Sequence, residues 1–151
     1  MIYVARGDIL SDDNKSNVIA HGVNCVGGFG SGVAGAIARK YPHVRQAYLY
    51  KFKHDGWKLG DVQLVKIEPQ KWIANCATQE DCGWGNKDVV YCNYAAIHDV
   101  FKKLSRHDPK LTISCPKIGS GLANGNWPHI KDIIKNVFGA HNEQKLTIYY
   151  L

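Results

Sequence analysis

The sequence predicts an α/β domain in which helices cover a sheet on two faces. Three observations carry that prediction. Short apolar or β-branched runs alternate with helix-length amphipathic runs along the whole chain; Gly, Asp, Asn and Pro punctuate the junctions; and two glycine-rich segments each follow a strand and lead into a helix. With 151 residues, 45% of them hydrophobic and 21% charged, the chain has the size and composition of one ordinary globular unit, residues 1–151. It is too short for a nucleotide-binding domain plus a separate substrate domain.

Taken in chain order, residues 2–4 and 18–20 read as strands, each bounded by polar or glycine residues. A glycine loop then runs directly into a small, apolar helical pattern over 33–40. Pro42 restricts Tyr41 and breaks that helix, so 43–52 continues as a second one. Residues 62–67 and 72–77 form two more strands. Beyond them the polar, glycine-bearing stretch D-C-G-W-G-N-K-D, 81–88, is the expected mobile functional loop. Tyr91, Tyr94, Ala95, Ile97, Phe101 and Leu104 mark one face of a third helix. After a strand at 112–115 and a second glycine loop, Ile130, Ile133, Ile134 and Val137 mark a fourth helix ending near Gly139. Residues 146–150 supply the last strand.

The formal charge of +6 and a pI near 9.1 describe a surface that attracts anions. Its 19 Lys and Arg are scattered, so no nucleic-acid stripe is evident, and nucleotides, nucleic acids and acidic proteins all remain open as partners. No apolar run approaches the roughly 20 residues that span a bilayer. The opening M-I-Y-V-A-R-G-D lacks a signal-peptide core, from which a cytoplasmic protein without membrane association is expected. Five cysteines without C-x-x-C pairing fit reduced thiols; Cys76, Cys82 and Cys92 give no zinc spacing, and no metal or cofactor is expected.

The stretch H-G-V-N-C-V-G-G-F-G-S-G-V-A-G from His21 onward is how a backbone makes an anion site. Glycines allow close approach of main-chain N–H groups, and the start of the following helix favours phosphate. The second loop, I-G-S-G-L-A-N-G-N-W, repeats the arrangement, with Asn126 as a helix cap and Pro128 early in the helix. Two such loops suggest a pyrophosphate gripped from both sides; tight turns alone are the alternative for either loop singly. Val33 and Ala34 stand where a P-loop needs Lys and Ser/Thr, which excludes that NTPase motif. His21 can donate to phosphate or exchange a proton near neutral pH, or be a structural histidine, and the residues alone leave both open. Asn24 offers donor and acceptor to a sugar hydroxyl pair. Asp8 can accept from an exocyclic amine, though alone it reads as a turn residue.

These segments together resemble the macro domain family: G-D-I at Gly7, Asp8 and Ile9; V-N-C-V-G-G-F-G-S-G-V-A-G-A-I from Val23; and P-K-I-G-S-G-L-A-N-G-N-W from Pro116. The chain is most similar to the compact branch containing ADP-ribose-1″-phosphate phosphatases and terminal ADP-ribose glycohydrolases. The resemblance implies a three-layer α/β/α sandwich with a mixed central sheet and ADP-ribose as ligand. It places Asp8 on the adenine amine, with Gly7 and Ile9 beside it and Leu151 closing that side. Asn24 falls at the distal ribose next to Gly22 and Val23. Phe29, Gly30, Ser31, Gly32, Val33 and Ala34 wrap the pyrophosphate opposite Ile118, Gly119, Ser120, Gly121, Leu122 and Ala123. The phosphatase branch shares a histidine at position 21. The glycohydrolase branch has a lysine and an aspartate where this chain has Gln79 and Ala123, so no lysyl adduct with the opened sugar can form.

The resemblance therefore implies a metal-independent, cofactor-free phosphatase acting on ADP-ribose-1″-phosphate as a monomer. His21, Asn24 and Asp81 are the expected catalytic residues, Asp81 as a water-activating base. A non-catalytic reader of ADP-ribose, or of ADP-ribosylated protein or nucleic acid, and a lysine-independent de-ADP-ribosylating hydrolase are the alternatives.

Overall fold

A computed structural model describes residues 1–81, 88–121, 123–139 and 142–151. Among them are six strands, β1 (Ile2–Arg6), β2 (Val18–Val23), β3 (Val62–Glu68), β4 (Lys71–Ala77), β5 (Ile113–Cys115) and β6 (Leu146–Tyr150), and four helices, α1 (Gly32–Lys40), α2 (Pro42–His54), α3 (Tyr94–His107) and α4 (Trp127–Phe138). The strands form one sheet in the order β1-β6-β5-β2-β4-β3. All neighbours are parallel except β3, which runs antiparallel to β4 at the edge. The mixed sheet implied by the family resemblance is what forms.

Period-two alternation decides which side chains meet which helices. Ile19 and Val23 of β2 and Ile73 and Ala77 of β4 pack against Ile37 of α1 and Val44 and Tyr48 of α2. Val18, Ala20, Ala74, Cys76, Ile113 and Cys115 face the other way, onto Ile97 and Phe101 of α3 and Ile130 and Ile134 of α4. Each large apolar side chain so buried stabilises the fold by ~1.5–3 kcal/mol. Two helices per face give the three layers.

Local chemistry fixes the helix starts. Pro42 opens α2, Asn93 caps α3 by accepting from Ala96 N–H, and Asn126 caps α4 by accepting from His129 N–H. The caps also correct the sequence expectations: α3 begins after Asn93, which leaves Tyr91 outside it and turns Ala96 and Val100 inward in place of Ala95. In α4 the inward face ends on Phe138, with Val137 only half-buried. No helix among the described residues is long and apolar enough to cross a membrane.

Because β1, β6, β5, β2 and β4 are mutually parallel, their C-terminal ends lie along one edge of the sheet. The connections leaving those ends are therefore brought together, as at the ligand clefts of open α/β sheets.

Candidate functional site

A cavity of about 820 Å³ occupies that edge. Its walls come from the ends of all five parallel strands: Gly7, Asp8 and Ile9 after β1; Val23 at the end of β2 and Asn24 after it; Thr78 and Gln79 after β4; Ile118 after β5; Tyr150 and Leu151 at β6. Gly22, Phe29, Gly30, Ser31, Gly32, Val33, Ala34, Gly119, Ser120, Gly121 and Ala123 complete the set that the sequence singled out, with His21 deep among them. Leu122 and residues 82–87 lie outside the described residues. Asp81 is exposed and does not line the cavity; its carbonyl accepts from Gln79 Nε2 at 2.6 Å. Leu10, Gly28, Ala36, Thr78, Pro116, Lys117 and Tyr149 also line it without having been expected there, and Gln79 lines it at the position where the resemblance put the glycohydrolase lysine. The parallel register, which brings the ends of β4, β5 and β6 to the same sheet edge as the end of β2, is the signal that would have found Thr78, Pro116, Lys117 and Tyr149.

The first glycine loop is held by its own buried polar groups. Asn24 Oδ1 accepts from the N–H groups of Val26 (3.0 Å) and Gly28 (3.1 Å) and from Tyr48 Oη (2.8 Å), while Nδ2 donates to the Gly28 carbonyl at 2.8 Å. Its amide thus shapes the loop from within. Tyr48 is fully buried, accepts from Gly27 N–H and stacks on Trp57. The loop ends on Ser31, the N-cap of α1, whose side chain makes no capping hydrogen bond, and the first turn holds no acidic residue. The first intrahelical bond runs from Gly35 N–H to Ser31 carbonyl, so the N–H groups of Gly32, Val33 and Ala34 have no acceptor within the helix. An uncapped helix start on a cavity wall suits an anion.

The second loop differs from expectation. Asn126 closes the α4 start with its own side chain, and Asn126 and Trp127 are not on the cavity wall. Only the loop itself, from Ile118 to Gly121 and at Ala123, faces the cavity. Gly119 has φ +77° and is hemmed by Ile130 and Ile97, which leaves glycine as the residue that fits.

His21 is 1% exposed and sits inside β2, one residue pair from the strand's end, not after it. The strand continues through Gly22 because a Cβ there would meet Thr78 Oγ1 at 2.5 Å and Ile118 at 3.3 Å. Its Nε2 lies 2.6 Å from Asn75 Oδ1, and Phe29 presents its ring edge-on at 5.5 Å. Burial pulls its pKa down from 6.5 to about 4, with the Asn75 hydrogen bond opposing the shift, so the imidazole is neutral at pH 7. Nδ1 of His21 and Oγ1 of Thr78 are buried without a hydrogen-bond partner. Asp8, at the opposite flank, accepts from Leu10 N–H at 2.9 Å and keeps its carboxylate exposed.

The model of the Macro domain family matches residues 20–134. The chain is 22% identical over 150 residues to an ADP-ribose 1″-phosphate phosphatase of Candida albicans, covering 93% of this chain and 96% of that one. It is 24% identical over 152 residues to a DNA ADP-ribosyl glycohydrolase of Mycobacterium tuberculosis, covering 99% of this chain and 42% of that protein. A solved protein of unknown function from Bacteroides thetaiotaomicron superposes with a TM-score of 0.88 at 28% identity, over 100% of this chain and 98% of that one.

Proposed function

The chain belongs to the macro domain family, and we propose that it binds ADP-ribose in this cavity and hydrolyses the terminal phosphate of ADP-ribose-1″-phosphate. The observation that carries the reading is one cavity wall that joins an uncapped helix start, a second glycine loop, the Asp8 carboxylate and a neutral histidine. Relatives bearing the phosphatase name match nearly the full chain, as the Candida albicans protein does.

Each part has a role set by its chemistry. Asp8 accepts from the adenine amine. The N–H groups of Gly32, Val33 and Ala34 hold the diphosphate, opposed by the loop at Gly119 and Gly121. His21, being neutral, accepts a hydrogen bond from water and does not donate as an imidazolium. Water adds to phosphorus, the bond from phosphorus to the C1″ oxygen breaks, and the proton reaches that oxygen, giving ADP-ribose and phosphate. Asn24 contributes by fixing the loop, and the exposed Asp81 stands outside the lining, so this reading assigns no step to it. No metal enters the scheme, and the domain works as a monomer in the cytoplasm.

Gln79 and Ala123 line the same cavity, and neither can form a lysyl adduct or serve as its partner base. That weighs against lysine-dependent glycohydrolase chemistry. The test is phosphate release from ADP-ribose-1″-phosphate, with ADP-ribose affinity measured by calorimetry. Release is expected, and His21→Ala should reduce it about hundredfold while affinity changes less. Binding without release above the buffer rate would make the protein a reader; free ADP-ribose from ADP-ribosylated protein or DNA ends would make it a de-ADP-ribosylating hydrolase.

A further inference from the structure

A line of polar side chains crosses three strands within the apolar layer between the sheet and α2. His21 on β2 stands in register with Asn75 on β4, and Asn75 with Gln63 on β3. His21 Nε2 lies 2.6 Å from Asn75 Oδ1, Asn75 Nδ2 donates to Gln63 Oε1 at 3.0 Å, and Gln63 Nε2 donates to the Ala47 carbonyl of α2 at 2.9 Å. Asn75 is fully buried.

The last member sets the direction of all the others. A main-chain carbonyl only accepts, so Gln63 turns Nε2 toward Ala47 and Oε1 toward Asn75. Asn75 must then give Nδ2 to Gln63 and Oδ1 to His21. The imidazole is left to carry its hydrogen on Nε2, and Nδ1 becomes a bare acceptor. That atom is the buried one without a partner, on a side chain that lines the cavity. For stability alone the arrangement is a poor choice, because a matched set of apolar side chains costs little while an unmet buried acceptor costs ~1–3 kcal/mol. A relay that satisfies every other atom and leaves this one unpaired, on a side chain of the cavity wall, is organised toward a ligand.

We propose that Gln63 and Asn75 are positioning residues which, anchored on the Ala47 carbonyl, hold His21 as its Nε2–H tautomer so that Nδ1, covered in this structure, is kept as an acceptor for a hydroxyl or water that reaches it from the cavity. The role of that acceptor rests on the phosphatase reading; the tautomer does not. The low basicity that burial imposes on His21 works in the same direction, keeping Nδ1 unprotonated.

Two-bond ¹H–¹⁵N correlation NMR of the imidazole rings at pH 7 reads the tautomer directly, in the wild type and in Gln63→Met and Gln63→Glu. The wild type should show His21 with hydrogen on Nε2 only. Gln63→Met keeps the side-chain bulk but releases Asn75 to rotate, so an Nδ1–H population appears; Gln63→Glu still accepts from Asn75 and keeps the Nε2–H form. In the phosphate-release assay Gln63→Met should lower kcat about tenfold with KM within about twofold. A wild-type ring carrying hydrogen on Nδ1, or a Gln63→Met spectrum identical to wild type, overturns the proposal. Even if a variant folds poorly, the wild-type spectrum alone can overturn it, since hydrogen on Nδ1 contradicts the relay. An Nε2–H ring that responds to Gln63 in a protein releasing no phosphate contradicts the phosphatase reading and supports the relay.

Discussion

The two glycine loops have nearly the same recipe and end in opposite arrangements. V-G-G-F-G-S-G and I-G-S-G-L-A-N-G-N each leave a parallel strand and enter a helix. In the first, the helix cap is Ser31, whose hydroxyl caps nothing, and the α1 start opens on the cavity. In the second, Asn126 satisfies His129 N–H and the α4 start is turned away. A glycine loop before a helix is therefore not sufficient for an anion site: the capping side chain decides whether the helix end is left for a ligand. Their bracing differs as well. Asn24 and Tyr48 hold the first loop by buried hydrogen bonds, whereas Gly119 and Gly125 of the second share a hydrogen bond and rest on Ile97 and Ile130.

The largest expected effect comes from the strand that feeds the first loop. His21 is neutral in the fold down to about pH 4, whereas the unfolded chain protonates it near 6.5. The unfolded state thus binds more protons between those values; stability is full above pH 6.5 and falls by ~3 kcal/mol as pH drops to about 4. Urea unfolding at pH 7 and pH 4.5 should show this slope, and His21→Gln should flatten it. No such slope arises from the strand feeding the second loop, since burial holds the Cys115 thiol far above its usual range and thus neutral.

Next come the packed glycines. A Cβ on Gly125 would run into the Gly119 carbonyl, Cys92 Sγ at 2.6 Å and Ile130 Cδ1 at 2.7 Å, so Gly125→Ala should destabilise by ~1–3 kcal/mol. A Cβ on Gly35 would press the Gly30 carbonyl oxygen at 2.8 Å, but alanine inside a helix returns ~0.5–1 kcal/mol. Gly35→Ala should therefore destabilise less than Gly125→Ala and weaken ADP-ribose binding, because relieving the clash moves the Gly30 main chain, which is on the cavity wall. Equal losses of affinity in both variants would erase the distinction between the loops. The smallest effect is Asn126→Ala, a lost cap of ~1 kcal/mol in urea unfolding with ADP-ribose affinity held within about twofold.

Most of this arrangement was legible in the residues. Periodicity located each described strand and helix, and the motif segments named most of the cavity wall. The misses have physical causes. Gly22 and His21 look like a strand end, yet Thr78 and Ile118 crowd the strand so closely that only glycine continues it. Thr78 and Lys117 enter the wall through parallel register, which no local pattern encodes. The Asn75–Gln63 relay did leave a trace: a buried asparagine inside W-I-A-N-C-A is a polar group that must be answered across the sheet. Asn126 was correctly expected as a cap, but that a satisfied cap withdraws its helix from the ligand only became visible with the cavity.

The central claim is that the open start of α1, and not the closed start of α4, holds the ligand's diphosphate. Calorimetric titration of ADP-ribose into Ser31→Asp and Asn126→Asp tests it in one experiment, since each variant places a carboxylate at one helix start. The account predicts at least about tenfold weaker binding for Ser31→Asp, as the carboxylate caps α1 and repels the diphosphate, and near-wild-type binding for Asn126→Asp. Equal affinities in the two variants, or a greater loss in Asn126→Asp, would contradict it.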